Sequence, residues 1–255
     1  MLRRGGVLPL PSPSLFEPMP TPIAWPSMAS QTFDPKRISR IHAGNRRDDR
    51  QPAWSTVQGT ELTLVEDSDS SRAITEKYIA SCFARKFGAK VPMYMPRLFS
   101  LRGSDGRIRG AVGLRHGEEP LYLEQYLNAS IERVISRRAG RRCGRHVVAE
   151  VGHLCGDFPG VVRVLIDQVT KRLAGEGFQW VTFTGTRRLC NAFRRLGLSP
   201  IEIGPAQSQS VSPDDRVAWG RYYDESPSVY IGNVQVGNRF LSRPEAGYSL
   251  PSCER

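Results

Sequence analysis

Between His146 and Thr184 the chain reads as a strand, a glycine-bounded loop, an amphipathic helix and a second strand. Two strands joined by a helix of this length pair in parallel, with a right-handed crossover that packs the helix on the sheet. The first strand is His146–Val151, and Gly156-Asp157-Phe158-Pro159-Gly160 opens the helix. Val162, Leu165, Ile166, Val169 and Leu173 give Val161–Leu173 one apolar face, which Gly175-Glu176-Gly177 ends. Trp180–Thr184 is the second strand, Arg188–Leu196 a short helix stopped by Gly197, and Pro200–Ile203 a further strand. An α/β (α+β) chain with a β-α-β-α-β half is expected.

Upstream, Thr60–Glu66 alternates as a strand does, and Asp67–Ser70 supplies helix-capping residues. Ile74, Tyr78, Ile79, Cys82 and Phe83 then recur at helical spacing as far as Phe87-Gly88. Arg97–Arg102 and Ile108–Arg115, joined by the four-residue turn Gly103–Gly106, predict a hairpin. Leu123, Tyr126, Leu127, Ile131, Val134 and Ile135 predict one helix over Tyr122–Ile135. Two carboxylates, Glu124 and Glu150, stand inside these otherwise apolar runs. A buried carboxylate requires a partner, a raised pKa or a chemical task.

The 255 residues carry a net charge of +11, of which eight Lys/Arg and four Asp/Glu in the first 60 residues supply +4. The remaining +7 makes the ordered part basic in its own right, which favours acidic partners: phosphate-bearing cofactors, an acidic carrier protein, anionic lipid or nucleic acid. Residues 1–55 are rich in Pro, Ser and Arg without hydrophobic periodicity and are expected to be a disordered extension. A domain over 56–238 and a C-terminal tail over 239–255 follow. Five cysteines without a Cys-x-x-Cys pair read as reduced thiols, and Cys143-x-x-His146 followed by His153-x-Cys155 is not a structural zinc spacing, so no metal is expected. No apolar run reaches the length of a membrane span or of a signal-peptide core, so a cytoplasmic location is expected. The arginines from Arg137 to Arg145 are read as a solvated loop that steers an acidic carrier, not as a nucleic-acid patch.

This element order resembles the GNAT acyltransferase fold, with a mixed, mostly antiparallel sheet flanked by helices. The resemblance implies that the segment Ala149–Val162, through Leu154, Gly156, Gly160 and Val161, binds the pantetheine or pyrophosphate arm of an acyl thioester. A helix N-terminus suits an anion, and Arg163 adds a cationic contact. The loop holds Gly156-x-x-x-Gly160 in place of the family's Arg/Gln-x-x-Gly-x-Gly/Ala signature.

A second resemblance covers Arg97–Gly237. Leu121–Leu127, Ile131-Glu132, Glu150–Leu154, Trp180–Thr186, Asn191–Leu198 and Trp219-Gly220-Arg221-Tyr222-Tyr223 are similar to the thermostable hemolysin family. His153, Cys155 and Gln207 depart from the Asn, Ala and Asp of that pattern. Gly110–Arg115, Tyr122-Leu123 and Glu150-Val151-Gly152-His153 also resemble, more distantly, the acyl-homoserine lactone synthases, which implies Glu150 as the base that deprotonates an amine.

The expected activity is therefore transfer of an acyl group from a coenzyme A or acyl carrier protein thioester to an amine acceptor. Glu150 is the general base, His153 a proton shuttle, and Glu124 either anchors the amine or pairs with Arg115; a Glu150 paired with the arginines of 137–145 is the structural alternative. Arg115, Trp219, Tyr222 and Tyr223 are expected to wall the substrate pocket, although an aromatic cluster packing the last strand explains those three rings equally. Two other classes stay open: a membrane-active lytic protein that engages anionic lipid through basic and aromatic surface, and a GNAT-like module that binds without turnover.

Overall fold

The computed structural model describes residues 56–57, 60–61, 63–157 and 159–242, so the expected N-terminal extension and residues 243–255 lie outside it. A two-residue hairpin, β1 (Thr56–Val57) with β2 (Thr60–Glu61), precedes the main sheet. Then come β3 (Thr63–Glu66), α1 (Asp69–Phe87), β4 (Arg97–Arg102), β5 (Ile108–His116), α2 (Ile131–Ala139), β6 (Val148–Gly156) and α3 (Pro159–Gly175). The chain continues through β7 (Trp180–Gly185), α4 (Arg187–Arg195), β8 (Ile201–Pro205), α5 (Pro213–Ala218), β9 (Ser228–Asn233) and α6 (Val234–Leu241). The main sheet has seven strands in the order β3-β4-β5-β6-β7-β9-β8. Of its pairs, β6–β7 is parallel and all others are antiparallel. This is the expected mixed, mostly antiparallel sheet flanked by helices.

Helices cover both faces, as a sheet containing a parallel crossover demands. On one face Val161, Val164, Leu165, Val169 and Leu173 of α3 bury against Phe99, Leu101, Val112, Leu114, Ala149, Val151 and Phe183, and Cys190 of α4 and Val234 of α6 join them. The opposite face holds two clusters. Ile79, Phe83 and Phe87 of α1 pack on Leu98 and Ala111, whereas Ile131 and Ile135 of α2 pack on Val148, Trp180, Val229 and Ile231.

Two expectations are corrected. The apolar spacing over Tyr122–Ile135 forms two elements, a 3-10 turn over Tyr122–Tyr126 and α2 starting at Ile131. The Glu124 carboxylate accepts from the Ile131 N–H at 2.8 Å, so a side chain of the first element caps the second across the break. The strand expected over His146–Val151 starts later and runs further: Arg145–Val147 is a 3-10 turn, and β6 extends to Gly156. Downstream, β9 inserts between β7 and β8 and completes the sheet.

Candidate acyl-transfer cleft

The parallel pairing of β6 and β7 runs from Val148↔Trp180 to Val151↔Phe183. Beyond it β6 continues along β5 to Gly156, and β7 continues along β9 to Gly185. The two central strands thus part after Val151, and the peptide groups of β6 past that point have no β7 partner in the register. Across the β5–β6 ladder, Ala111 faces Cys155 and Gly113 faces Gly152, so β6 carries one extra residue. The bulge centres on His153, which takes φ = 55°, a left-handed conformation uncommon for any residue but glycine. Its effect is to change the side-chain phase. Val151 and Leu154 face α3. Gly152 lies against Met95, and the His153 ring packs against Phe83 and Tyr94 on the α1 side.

Glu150 alternates with Ala149 and Val151 and therefore points to that same side, where the two apolar clusters meet. It is 3% exposed. Its oxygens accept the backbone N–H groups of Tyr122 at 3.1 Å and Leu123 at 3.0 Å, the free donors at the start of the 3-10 turn. Arg115 Nη1 stands 3.9 Å away and donates to the Pro120 carbonyl. Burial pushes the Glu150 pKa up to about 7, against the opposing pull of the Leu123 N–H, Arg115 and the Tyr122 N–H. Its partner is thus Arg115, not the arginines of residues 137–145.

Glu124 has the other fate. Arg145 grips it in a bidentate pair, Nη1 at 2.6 Å and Nη2 at 3.1 Å, and reaches Glu132 at 2.9 Å and the carbonyls of Gly117 and Glu119. Burial raises the Glu124 pKa, but the hydrogen bonds from Arg145 and Ile131 outweigh it and hold the carboxyl below its ordinary value. Its partner is Arg145 rather than Arg115, and Arg145 is accordingly no solvated loop residue.

His153 is also buried. Its Nε2 lies 3.1 Å from the Met93 carbonyl, which can only accept, so Nε2 carries the proton. Nδ1 is then a lone-pair acceptor, buried and without a hydrogen-bond partner among the described residues. Burial lowers the His153 pKa to about 4, which keeps the ring neutral at physiological pH.

Aromatic side chains line the same face. Trp219 Nε1 donates to the Tyr122 hydroxyl at 2.8 Å, which donates to Asp215 at 3.2 Å; the Tyr126 and Tyr223 hydroxyls meet at 2.8 Å. Tyr222 stacks edge-on against Phe87 and reaches the Thr184 carbonyl near the end of β7, at 3.5 Å. The predicted Trp219 and Tyr223 are thereby joined to Glu150 through the 3-10 turn, whose backbone Glu150 holds and whose tyrosines they touch, and Tyr222 packs against both of them. Phe83, Phe87 and Tyr94 complete this wall; sequence spacing placed Phe83 on an apolar helix face and gave no sign of the ring cluster.

The proposed donor-binding residues gather at the far end of β6. Leu154 packs toward α3, and Gly156 ends the strand. A Cβ at Gly110 or Gly156 would lie 2.6 or 2.7 Å from Val161 Cγ1, so these glycines let the first turn of α3 sit directly on the ends of β5 and β6. Val161 is fully buried, backbone included, so the expectation that it contacts a ligand is not met here, whereas Gly160 and Arg163 are partly exposed. Among the described residues no group of three or more His, Cys, Asp or Glu side chains is arranged to hold a metal ion.

The family model described as thermostable hemolysin matches residues 65–238. No curated protein matches the chain in sequence. Among solved structures, FeeM, an N-acyl amino acid synthase from uncultured soil microbes, is 12% identical with a TM-score of 0.48 over 70% of this chain and 93% of its own. The AHL synthase LasI gives 12% and 0.48 over 70% and 95%. A GNAT-family acetyltransferase from Staphylococcus aureus Mu50 gives 11% and 0.40 over 68% and 99%.

Proposed function

This chain belongs to the thermostable hemolysin family, and we propose that it is an acyltransferase carrying an acyl group from a coenzyme A or acyl carrier protein thioester to an amine. The observation that carries this reading is the Glu150 carboxylate, buried on the central strand one residue before β6 and β7 part, with its pKa raised to about 7. An amine is protonated at neutral pH and must lose a proton before it attacks a carbonyl. A carboxylate of raised pKa in a dry cleft takes that proton directly or through a water.

In this scheme the amine nitrogen, freed by Glu150, attacks the thioester carbonyl; the new C–N bond forms, the C–S bond breaks, and the thiol leaves. The unpartnered peptide groups of β6 around Leu154 and Gly156 engage the pantetheine arm. The backbone N–H of Gly160, with the Arg163 guanidinium, receives the phosphates at the start of α3. His153 stays neutral, and its free Nδ1 accepts a hydrogen bond from the acceptor amine. Arg115 tunes Glu150, while Trp219, Tyr222 and Tyr223 wall the acyl pocket. Glu124 takes no chemical step and instead fixes the turn that presents the Tyr122 and Leu123 N–H groups. The catalytic domain occupies 56–238, and its basic surface suits an acidic carrier in the cytoplasm.

Purified protein incubated with acyl-CoA and acyl carrier protein thioesters of increasing chain length, together with amino acids and other amines, tests the reading through release of free thiol. Thiol release that depends on both thioester and amine is expected. Neither turnover nor thioester binding across the panel would contradict it.

A further inference from the structure

Gly113 and Gly152 face each other across β5 and β6, two residues along from the facing pair Arg115 and Glu150. Residues two apart on a strand share a face, so both glycines lie on the Glu150 side of the sheet. They leave a trough with no side chain of its own, and Met95 fills it. A Cβ added at Gly113 would lie 2.6 Å from Met95 Cβ and Cγ, and one added at Gly152 would lie 2.6 Å from Met95 Cε. Met95 is buried as a result. On the side away from Glu150 the trough meets the His153 ring, whose Nδ1 would stand 3.0 Å from that Gly113 Cβ and has no hydrogen-bond partner among the described residues. A thioether has no proton to give it. An apolar plug thus lies between two polar acceptors, the Glu150 carboxylate and the His153 lone pair, and such convergent polar groups around an apolar space mark a ligand site more than a core.

The backbone that carries the plug is pinned. Arg72 donates to the Met95 carbonyl at 2.9 Å and to the Pro96 carbonyl at 2.7 Å, and His153 Nε2 donates to the Met93 carbonyl at 3.1 Å. Movement is therefore left to the side chain, which is unbranched and repacks easily. We propose that Met95 is the specificity-determining residue for the acceptor: its side chain occupies the trough between Glu150 and His153, and its length sets how bulky an amine reaches the base. A slim amine needs only the thioether tip over Gly152 to swing aside. A bulky one also needs the space of Cγ, which is wedged over Gly113 next to a Cβ that the pinned backbone holds in place. This inference rests on the acyl-transfer reading and deepens it by naming what limits the acceptor.

The test is the rate of thiol release from the most active thioester of the panel above, with ethylamine, isobutylamine or benzylamine as acceptor, for full-length wild type, M95A and M95V. In M95A the kcat/KM for the two bulkier amines relative to ethylamine should rise about tenfold or more. The thioester KM and the pH midpoint should stay at their wild-type values, whereas a general loosening of the core would move them. M95V keeps carbon at the γ position, guards against a misfolded M95A, and should shift the ratio the same way by less. A ratio unchanged in both variants, or a thioester KM that moves with the acceptor KM, would overturn the proposal. Should no amine be turned over by wild type or variants, the acyl-transfer reading itself fails, and calorimetric titration of the same amines decides on the trough. Binding of the bulkier amines about tenfold or more tighter to M95A than to wild type upholds it as an amine site; equal or absent binding overturns it.

Discussion

Glu150 and Glu124 are two carboxylates in apolar stretches whose surroundings drive their proton affinities in opposite directions. Glu150, with a folded-state pKa near 7, holds its proton more tightly in the folded chain than in the unfolded one. Its favourable contribution to folding is complete below the ordinary carboxylate value and is lost as pH rises through about 7. In urea unfolding, the stability of wild type relative to E150Q should therefore decline from about pH 5 to pH 8, the range over which the ionised base becomes available. A flat difference would show that Glu150 titrates normally. Glu124 depends on a fork. Arg145→Lys keeps the charge but loses the bidentate geometry and the two carbonyl contacts, and should cost about 1–3 kcal/mol, read as a shift of the urea midpoint. Unchanged stability would mean that Arg145 is merely a surface charge. The presence of both carboxylates was legible from their apolar neighbours. Their partners were not, because Arg115 and Arg145 reach them only once β5, the 3-10 turn and α2 have folded together.

At the scale of elements, hydrophobic period read well wherever one residue pattern served one element. The helix carrying Tyr78, Ile79 and Phe83, the Arg97–Arg115 hairpin, and α3 with β7 all formed close to their expected bounds, although Ile74 at the start of that helix faces solvent. It failed over Tyr122–Ile135, where side chains at helical spacing belong to two elements and a glutamate caps the second. It also failed at β6, whose last residues hold glycine, histidine and cysteine in place of the β-branched residues that mark a strand. The bulge at His153 exists because of pairing with β5, which no local pattern encodes. The glycines opposite it are testable. A Cβ at Gly113 would fall 2.6 Å from Met95 Cβ and Cγ and 3.0 Å from His153 Nδ1, whereas one at Gly152 would meet Met95 at its flexible Cε tip. Gly113→Ala should thus lower stability by about 1–3 kcal/mol and Gly152→Ala by less, as thermal melts would show. Equal losses would contradict this account of the bulged face.

Across the described residues, the seven strands of the main sheet lie between two layers of core covered by helices, and the proposed cleft lies where the two central strands separate. Trp219 is 8% exposed and hydrogen-bonded inside, so it belongs to the packing of this wall and not to a lipid-facing surface. No helix of the described residues is long and apolar enough to cross a membrane. With Trp219 buried and hydrogen-bonded, Trp219→Ala should lower thermal stability by about 3–5 kcal/mol and leave any dye release from anionic liposomes unchanged. Leakage that Trp219→Ala removes and E150Q preserves would favour the lytic class. The central claim, that Glu150 is the base of an amine acylation, is tested most directly by the pH dependence of thiol release at saturating thioester. Wild type should rise with pH through a midpoint near 7, and E150Q should lose about a hundredfold or more of the rate together with that midpoint. An E150Q profile that overlays wild type would contradict it.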